Sequence, residues 1–193
     1  TPSIGATTNI AKVYDGTTTA NGALTVTNLL GSDVLTASST GANFAGANVG
    51  NNQTVTINGV TLVGSAQTLA NYALGSTTLS TTGNITPAPV TIVAGNNTTV
   101  YSAATQTNTA PVITGVVAGQ SITATGSGAG LNVGMYADNL VAVAGSNTAL
   151  SNYAITITNG GLTITPYVLN SGGANTPSIG ATTNIAKVYD GTT

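Results

Sequence analysis

The sequence lacks most of the side chains that carry charge or chemistry. It has no histidine, cysteine or tryptophan, and its charged residues are two lysines and four aspartates, 3% of 193 residues, against roughly 25% in an ordinary soluble domain. General acid–base catalysis and metal ligation lean on His, Cys and Glu, none of which is present. We therefore expect no enzymatic activity, no cofactor and no metal site.

The shortage of basic residues narrows the range of partners. Nucleic-acid binding draws its affinity from Lys and Arg on phosphates, and two lysines cannot supply it. No run of about 18 apolar residues occurs in the sequence, so we expect no membrane-spanning segment. The absence of cysteine leaves the redox compartment open, because a secreted protein can do without disulfides.

What is present is a polar background of Thr, Ser, Asn and Gly with a hydrophobic fraction of 41%. That fraction allows a core and excludes the disordered class, which combines low hydrophobicity with high net charge. The formal net charge is −2. A surface with so little charge associates easily, which suits a fibre or a cell-surface layer better than a cytosolic monomer.

The clearest positive signal is a repeat. Residues 1–18 read TPSIGATTNIAKVYDGTT, and residues 176–193 read the same, letter for letter. The offset, 176 − 1 = 175 residues, is too long for one solenoid turn, whose repeats run about 20–50 residues, and it suits an array of whole domains. We expect the chain to be an internal slice of a longer tandem protein, with any export signal outside the slice.

A weaker similarity relates the two halves of this period. Four stretches of the first half align in order with four of the second, and the spacings differ by only a few residues. The aligned stretches are residues 13–17 with 100–104, 48–50 with 132–134, 69–74 with 150–155, and 85–87 with 164–166. The predicted organisation is a linker from the preceding repeat at 1–9, β domains at 10–92 and 93–168, a linker at 169–183, and the first strand of the next repeat at 184–193.

Short alternating runs of Val, Ile and Thr, broken by Gly and Asn, indicate an all-β fold. Two Asn-Gly pairs, the favoured type I′ turn, predict hairpins over residues 55–62 and 155–164. The architecture that we favour is two tandem immunoglobulin-like β-sandwich domains in each 175-residue repeat. β-Grasp-like domains, which would need a helix that the pattern does not show, and a continuous β-solenoid, which would need a shorter period, are the alternatives.

The segment KVYDGTT at residues 12–18 resembles the signature of YDG domains, in which Tyr14, Asp15 and Gly16 are the defining residues. These domains occur beside the related MBG domains in very large secreted bacterial adhesins, including filamentous-haemagglutinin-like proteins. Residues 10–92 resemble the YDG type and residues 93–168 the MBG type, although Ser102-Ala103 replaces the Asp-Gly pair there. The resemblance implies a repetitive stalk or filament on a bacterial surface and supplies no catalytic residues.

Lys12 is the residue with two competing interpretations. Some surface adhesin domains cross-link a Lys to an Asn or Asp side chain, and Lys12 is the candidate for such an isopeptide bond. The alternative is a lysine whose stem lies on the sheet and whose amine is in water. Asp15 invites a calcium interpretation, but a single Asp in a Gly-Thr turn more often bonds its own backbone. Asp33 and Asp138 are isolated, and we place them in turns too.

Four tyrosines recur at equivalent places in the two halves: Tyr14, Tyr72, Tyr101 and Tyr153. Recurrence favours partly buried residues whose hydroxyls bond to the backbone over exposed residues of a carbohydrate site.

Together these features predict a structural segment of a long extracellular filament or adhesin stalk. The expected partners are adjacent identical repeats and neighbouring chains of the same filament. Each period should span on the order of 70–90 Å. A ligand-binding adhesin module and a surface-layer or sheath subunit are the alternatives.

Overall fold

The computed structural model describes residues 1–169 and Gly180. The predicted all-β class is confirmed, because the described residues form nineteen strands with one four-residue helix and one three-residue 3₁₀ turn. The remainder of the predicted linker at 169–183, the predicted strand at 184–193, and the second lysine, Lys187, lie outside the described residues.

Nine strands and the helix belong to the first half of the period. They are β1 (Ser3–Ala6), β2 (Ile10–Val13), β3 (Thr19–Ala20), β4 (Leu24–Thr27), β5 (Thr36–Ser38), β6 (Gly41–Phe44), β7 (Gly50–Asn58), β8 (Thr61–Val63), α1 (Ala66–Leu69) and β9 (Leu79–Thr86). The five-stranded sheet of this half has the order β2-β9-β7-β6-β3, while β1 pairs with β4 and β5 pairs with β8. Within the large sheet, β2 runs parallel to β9 and the other pairs are antiparallel.

Ten strands and the 3₁₀ turn (Leu150–Asn152) belong to the second half. They are β10 (Ala88–Val93), β11 (Asn96–Val100), β12 (Gln106–Thr107), β13 (Val112–Thr114), β14 (Ile122–Thr125), β15 (Ala129–Gly130), β16 (Gly134–Ala137), β17 (Val141–Ala144), β18 (Tyr153–Thr158) and β19 (Gly161–Thr165). Two three-stranded sheets have the orders β13-β10-β18 and β11-β19-β16, and β12 pairs with β15 and β14 with β17.

The two halves share five strand pairings, although β6–β7 in the first half and β10–β18 in the second have no counterpart. The antiparallel pairs β1–β4, β3–β6, β5–β8 and β7–β9 correspond to β10–β13, β12–β15, β14–β17 and β16–β19. The parallel pair β2–β9 corresponds to β11–β19, and its register places Val13 opposite Thr86 just as Val100 lies opposite Thr165. The internal duplication found in the sequence is therefore a duplication of topology.

The chain divides into two compact units. The first contains residues 1–93, 111–125 and 140–158, and the second contains residues 94–110, 126–139 and the described residues from Asn159 onward. Residues 1–9, assigned to a linker from their sequence, include β1, which pairs with β4 in the first unit. The domain boundaries predicted from the sequence stay a prediction.

Each unit buries its own apolar side chains. In the first unit the largest fully buried residues are Val55, Ile57, Val60, Ile85, Val90 and Ile92. In the second unit, Leu162 and Ile164 on β19 are each 1% exposed. Full burial of an aliphatic side chain stabilises the fold by about 1.5–3 kcal/mol, so these residues form the core of each unit.

The hairpin predicted at Asn58–Gly59 is wrong. Gly59 has the left-handed backbone that the turn motif favours, with φ of +59°, but Asn58 stays within β7 as an extended residue. β7 pairs with β6 and β9, whereas β8 pairs with β5. The Asn-Gly pair therefore turns the chain out of one sheet and into another, a corner that needs only one left-handed residue.

The hairpin predicted at Asn159–Gly160 is also wrong. β18 pairs in parallel with β10, and β19 pairs with β11 and β16. The apolar face predicted for this segment is half correct, since Leu162 is buried while Ile157 is 36% exposed. The local pattern predicted the strands and the turn but not which strands pair. A hairpin and a turn that leads into another sheet both need a glycine between two alternating runs.

Candidate functional site

The signature segment forms a compact polar turn at the end of β2. The Asp15 carboxylate accepts hydrogen bonds from the Thr17 backbone N–H and hydroxyl, both at 2.8 Å, and Gly16 takes a left-handed backbone with φ of +77°. This is the self-bonded turn that the sequence predicts, and a residue with a Cβ would be strained at Gly16.

The Lys12 amine is held by the same turn. It lies 2.6 Å from Asp15 Oδ1 and donates to the carbonyl and hydroxyl of Thr17 and to the Thr19 carbonyl at 3.0–3.1 Å. The side chain is only 15% exposed, and its amine is bound to protein oxygens, unlike the interpretation in which the amine lies in water. The isopeptide cross-link stays a prediction, and Asp15 is the carboxylate that faces Lys12.

The ion pair between Lys12 and Asp15 influences the protonation of the Asp15 carboxyl. Partial burial would raise the pKa of the Asp15 carboxyl, but the bonds from Lys12 and Thr17 outweigh that effect, and the pKa is lowered from its ordinary value. Asp15 therefore stays ionised well into the acidic range. The Asp15 side chain is 53% exposed. The turn therefore presents a single carboxylate to a cation and not the cluster of ligands that a metal site needs. Among the residues that the structure describes, no three potential metal ligands lie together.

Tyr14 joins this turn to an aromatic contact inside the first unit. Its ring meets that of Tyr153 edge-on, with centroids 5.5 Å apart and planes at 79°. Gln120 bridges the two hydroxyls, donating from Nε2 to Tyr14 at 2.6 Å and accepting at Oε1 from Tyr153 at 2.7 Å. Both rings are 6% exposed. Recurrence of tyrosine thus marks buried packing here, as the sequence predicts.

An asparagine pair lies beside the tyrosines. Asn152 Oδ1 accepts from the Val49 backbone N–H, and Asn152 Nδ2 donates to Asn48 Oδ1, both at 2.9 Å. Asn152 is only 2% exposed. We call this set of contacts the inner junction; it consists of Tyr14, Asn48 and Val49 from the first half of the period and Gln120, Asn152 and Tyr153 from the second.

The tyrosine of each Asn-Tyr pair also holds a turn by its hydroxyl. The Leu30 N–H donates to the Tyr72 hydroxyl at 3.0 Å, and Tyr72 donates to Asp33 at 2.8 Å. Asp33 N donates back to Leu30 O at 3.1 Å, closing the turn in which we had placed Asp33. The hydrogen bond from Leu30 would lower the pKa of Tyr72, but burial and the neighbouring Asp33 outweigh it, and the pKa is raised.

The second half repeats this arrangement with different side chains. The Val117 N–H donates to the Tyr153 hydroxyl at 3.3 Å, and Gln120 N donates to Val117 O at 3.1 Å. Val117 and Gln120 thus stand where Leu30 and Asp33 stand in the first half. The sequence placed Asp33 in a turn but did not predict the turn at Val117 and Gln120, because the bond to the tyrosine is made by a backbone N–H and places little restriction on the residue that carries it.

Asp138 has a structural role that the sequence did not predict. We had placed it in a turn, but it is buried after β16, where it accepts hydrogen bonds from Gly128 N at 2.6 Å, Asn108 at 2.8 Å and Gly160 N at 3.1 Å. Burial would raise the pKa of this carboxyl, but the three hydrogen bonds outweigh it and the pKa is lowered. Asp138 ties together three loops of the second unit.

These features define a class: an all-β protein built from a duplicated half, whose recurring polar and aromatic residues serve packing and turns. Residues 1–80 match the family of YDG domains, so the chain carries a YDG domain in its first half, in agreement with the signature at Tyr14, Asp15 and Gly16. The MBG type of the second half stays a prediction. No curated protein and no solved structure matches the chain.

Proposed function

We propose that the chain is a structural repeat segment of a long extracellular bacterial filament or adhesin stalk. Its copies would form an extended rod without catalytic activity or cofactors. The observation that carries this proposal is the exact recurrence of residues 1–18 at 176–193, since a period of whole domains that begins again within the same chain builds an array.

The contacts within the period support a load-bearing role. The inner junction buries Tyr14, Tyr153 and Asn152 between residues from the two halves of the period, so the first half is joined by packing, as well as by the chain, to the part of the second half that lies in the first unit. Residues 1–80 match the YDG domain family, and the secreted adhesin context that the signature implies is part of the proposal. Immunoglobulin-like architecture for each half is part of the same proposal.

Lateral association is the second element of the proposal. β13 lies at the edge of a sheet in the first unit, and Val112 on this strand is 65% exposed. Natural edge strands are guarded against pairing with other chains by charged residues, and β13 carries none. Neighbouring chains of the same filament are therefore the expected partners, and the association should resist salt because few charges are present to screen.

In the described part of the chain, no helix has the length and apolar character needed to cross a membrane.

Electron microscopy of native material tests the proposal. An array of these repeats should show a regular axial spacing on the order of 70–90 Å and should persist in high salt. Saturable binding of a soluble ligand by the 193-residue chain, with no axial repeat in native material, would overturn it in favour of a ligand-binding adhesin module. Native material made of short chains that assemble without covalent repeats would favour a surface-layer or sheath subunit.

A further inference from the structure

Two surfaces of the chain carry the residue types of the inner junction, and the described residues leave them uncovered. The first, which we call the trailing face, consists of Tyr101, Ala103, Asn132 and Val133 in the second unit. The second, which we call the leading face, consists of Leu30, Asp33, Asn71 and Tyr72 in the first unit. Three residues of each face correspond to one side of the inner junction, while Ala103 and Leu30 correspond to Gly16 and Val117 beside it.

Strand register establishes the correspondence for the trailing face. Tyr101 N donates to Thr165 O at 2.9 Å, as Tyr14 N donates to Thr86 O at 2.8 Å. Ala103 retains a left-handed backbone with φ of +59°, matching the glycine of the signature turn although the side chain has changed.

Val133 completes this face in the same way. It precedes Gly134, which pairs with Ile164 of β19. Val49 of the inner junction precedes Gly50, which pairs with Ile85 of β9. Val133 is therefore the counterpart of Val49.

The trailing face is open and apolar. Val133 is 51% exposed, and Tyr101 is partly exposed, whereas its counterpart Tyr14 is only 6% exposed. A pocket of about 540 Å³ lies here, lined by the signature-equivalent residues together with Pro166 and Tyr167. In the first half the counterpart surface is covered by the inner junction.

The leading face is open to the same degree. Leu30 is 65% exposed, while its counterpart Val117 is only partly exposed and would contact a Cβ placed at Gly16 at 3.5 Å. Asn71 is exposed, while its counterpart Asn152 is 2% exposed. The side-chain types that the inner junction buries thus recur here, and no residue in the described part of the chain covers them as the inner junction does.

We propose that the trailing face of one period binds the leading face of the next copy, the copy that begins at Thr176. This contact repeats the inner junction, so that one packing geometry recurs at every half-period. The inference rests on the tandem array of the proposed function and specifies the partner surface within it.

The hydrogen-bonding groups of the two faces are complementary. Asn71 of the next copy can accept from the Val133 N–H and donate to Asn132 Oδ1, as Asn152 does with Val49 and Asn48.

The hydrogen bonds between the two tyrosine hydroxyls and the residue that bridges them can also form at this contact, with donor and acceptor exchanged in one of them. In the inner junction Gln120 donates to the Tyr14 hydroxyl. Asp33 stands in the place of Gln120. Because an ionised carboxylate only accepts hydrogen bonds, we expect the Tyr101 hydroxyl to donate a hydrogen bond to Asp33 of the next copy. Asp33 retains an oxygen for this bond, because Tyr72 uses Oδ2.

Cysteine cross-linking in a two-period chain, made of residues 1–175 followed by residues 1–193, tests this contact. The natural sequence has no cysteine, so each variant reacts only at introduced positions. The test pair is Asn132→Cys in the first copy with Asn71→Cys in the second, joined by a short bis-maleimide. Asn48→Cys with Asn152→Cys is the positive control, and the outer pair, Asn71→Cys in the first copy with Asn132→Cys in the second, is the negative control.

The test pair should cross-link as fully as the positive control and several-fold faster than the outer pair. A rate equal to that of the outer pair would overturn the inference. The matched alanine variants give a second measurement: Asn71→Ala should lower the Tm by about 2–4 °C when made in the second copy and leave it unchanged in the first. Equal effects in the two copies would count against the contact.

Failure of this contact is distinguishable from failure of the array. If the test pair does not cross-link while native material shows the axial repeat, the copies are joined by the chain alone and the trailing face is free for another ligand. If the pair cross-links but native material shows no axial repeat, the contact holds and the filament proposal fails.

Discussion

The hydroxyl of Tyr14 and that of Tyr153 are bridged by one amide, the side chain of Gln120. The two tyrosines occupy different positions in their halves, one after the second strand and one after a short helical turn. The bridge therefore joins the signature turn of a YDG domain to the Asn-Tyr motif of the half that follows it.

Tyr153→Phe should lower the free energy of unfolding by about 1–2 kcal/mol, because it leaves the Val117 N–H and the Gln120 side chain without their partner in a buried site. Urea unfolding of the 193-residue chain measures the change. Tyr167→Phe is the matched control, since Tyr167 is 43% exposed and should be nearly neutral. Equal effects of the two substitutions would show that the Tyr153 hydroxyl is not stabilising.

Asp138→Asn should be the more damaging of two aspartate substitutions. Asn presents an amide donor where Asp138 accepts three hydrogen bonds, so we expect a loss of roughly 2–4 kcal/mol. Asp33→Asn should cost less than about 1 kcal/mol, because the remaining amide oxygen can still accept from Tyr72. Thermal unfolding followed by circular dichroism compares them, and a neutral Asp138→Asn would contradict the role assigned to Asp138.

The pH dependence of stability should be confined to acid and strong base. The pKa values of Asp15 and Asp138 are lowered in the folded state, so their stabilisation is present above the ordinary Asp pKa of about 3.9 and is lost as the pH falls through the folded-state values.

At the alkaline end, the pKa of Tyr72 is raised, so its contribution is present below about pH 10 and is lost as the pH rises through the folded-state value. Because the chain has no histidine, the Tm should be flat between about pH 5 and 7. A steep change of the Tm within that window would be inconsistent with this assignment.

Ala103→Gly should stabilise the chain. Ala103 holds a left-handed backbone at φ of +59°, which costs an L-residue with a Cβ roughly 1–2 kcal/mol, and glycine offsets part of that through its flexible unfolded state. We expect a net gain of about 0.5–1 kcal/mol in urea unfolding. Ala104→Gly makes the same chemical change without a left-handed backbone and should be destabilising.

Intact-mass measurement of the 193-residue chain decides the chemistry of Lys12. The ion pair with Asp15 leaves the calculated mass unchanged. An amide between Lys12 and Asp15 would remove one water, and an amide to an asparagine would remove one ammonia. We expect the unchanged mass, because the Lys12 amine already has an ion pair and three hydrogen bonds; a mass deficit would establish the cross-link.

Sequence alone predicted the all-β class, the internal duplication and the signature turn, because each is encoded locally. The alignment of Val13-Tyr14 with Val100-Tyr101 matches the strand register. Each Tyr directly follows a strand whose last Val pairs with a Thr of the parallel partner strand. Both predicted hairpins failed for the opposite reason. A strand partner is chosen by the whole sheet, and an Asn-Gly pair fits a corner between sheets as well as a hairpin turn.

The same distinction between local and distant partners decides which polar sites could be predicted. Asp15 could be placed because its partner, Thr17, lies two residues away. Asp138 could not, because its three donors come from Asn108, Gly128 and Gly160, which are distant in the sequence and carry no pattern of their own. The equivalence of Asp33 and Gln120 could not be predicted either, because all that they share is that each side chain accepts a hydrogen bond from a tyrosine hydroxyl.

The parallel pairing of the second strand with the last strand determines how each half responds to mechanical tension. β2 and β9 lie side by side over four residue pairs, and β11 and β19 over five. A pull on the chain before the first strand and after the last drags such neighbours past each other in opposite directions. The hydrogen bonds of the pair are then loaded together in shear and cannot open one at a time, so each half should resist extension when the chain is pulled from its two ends.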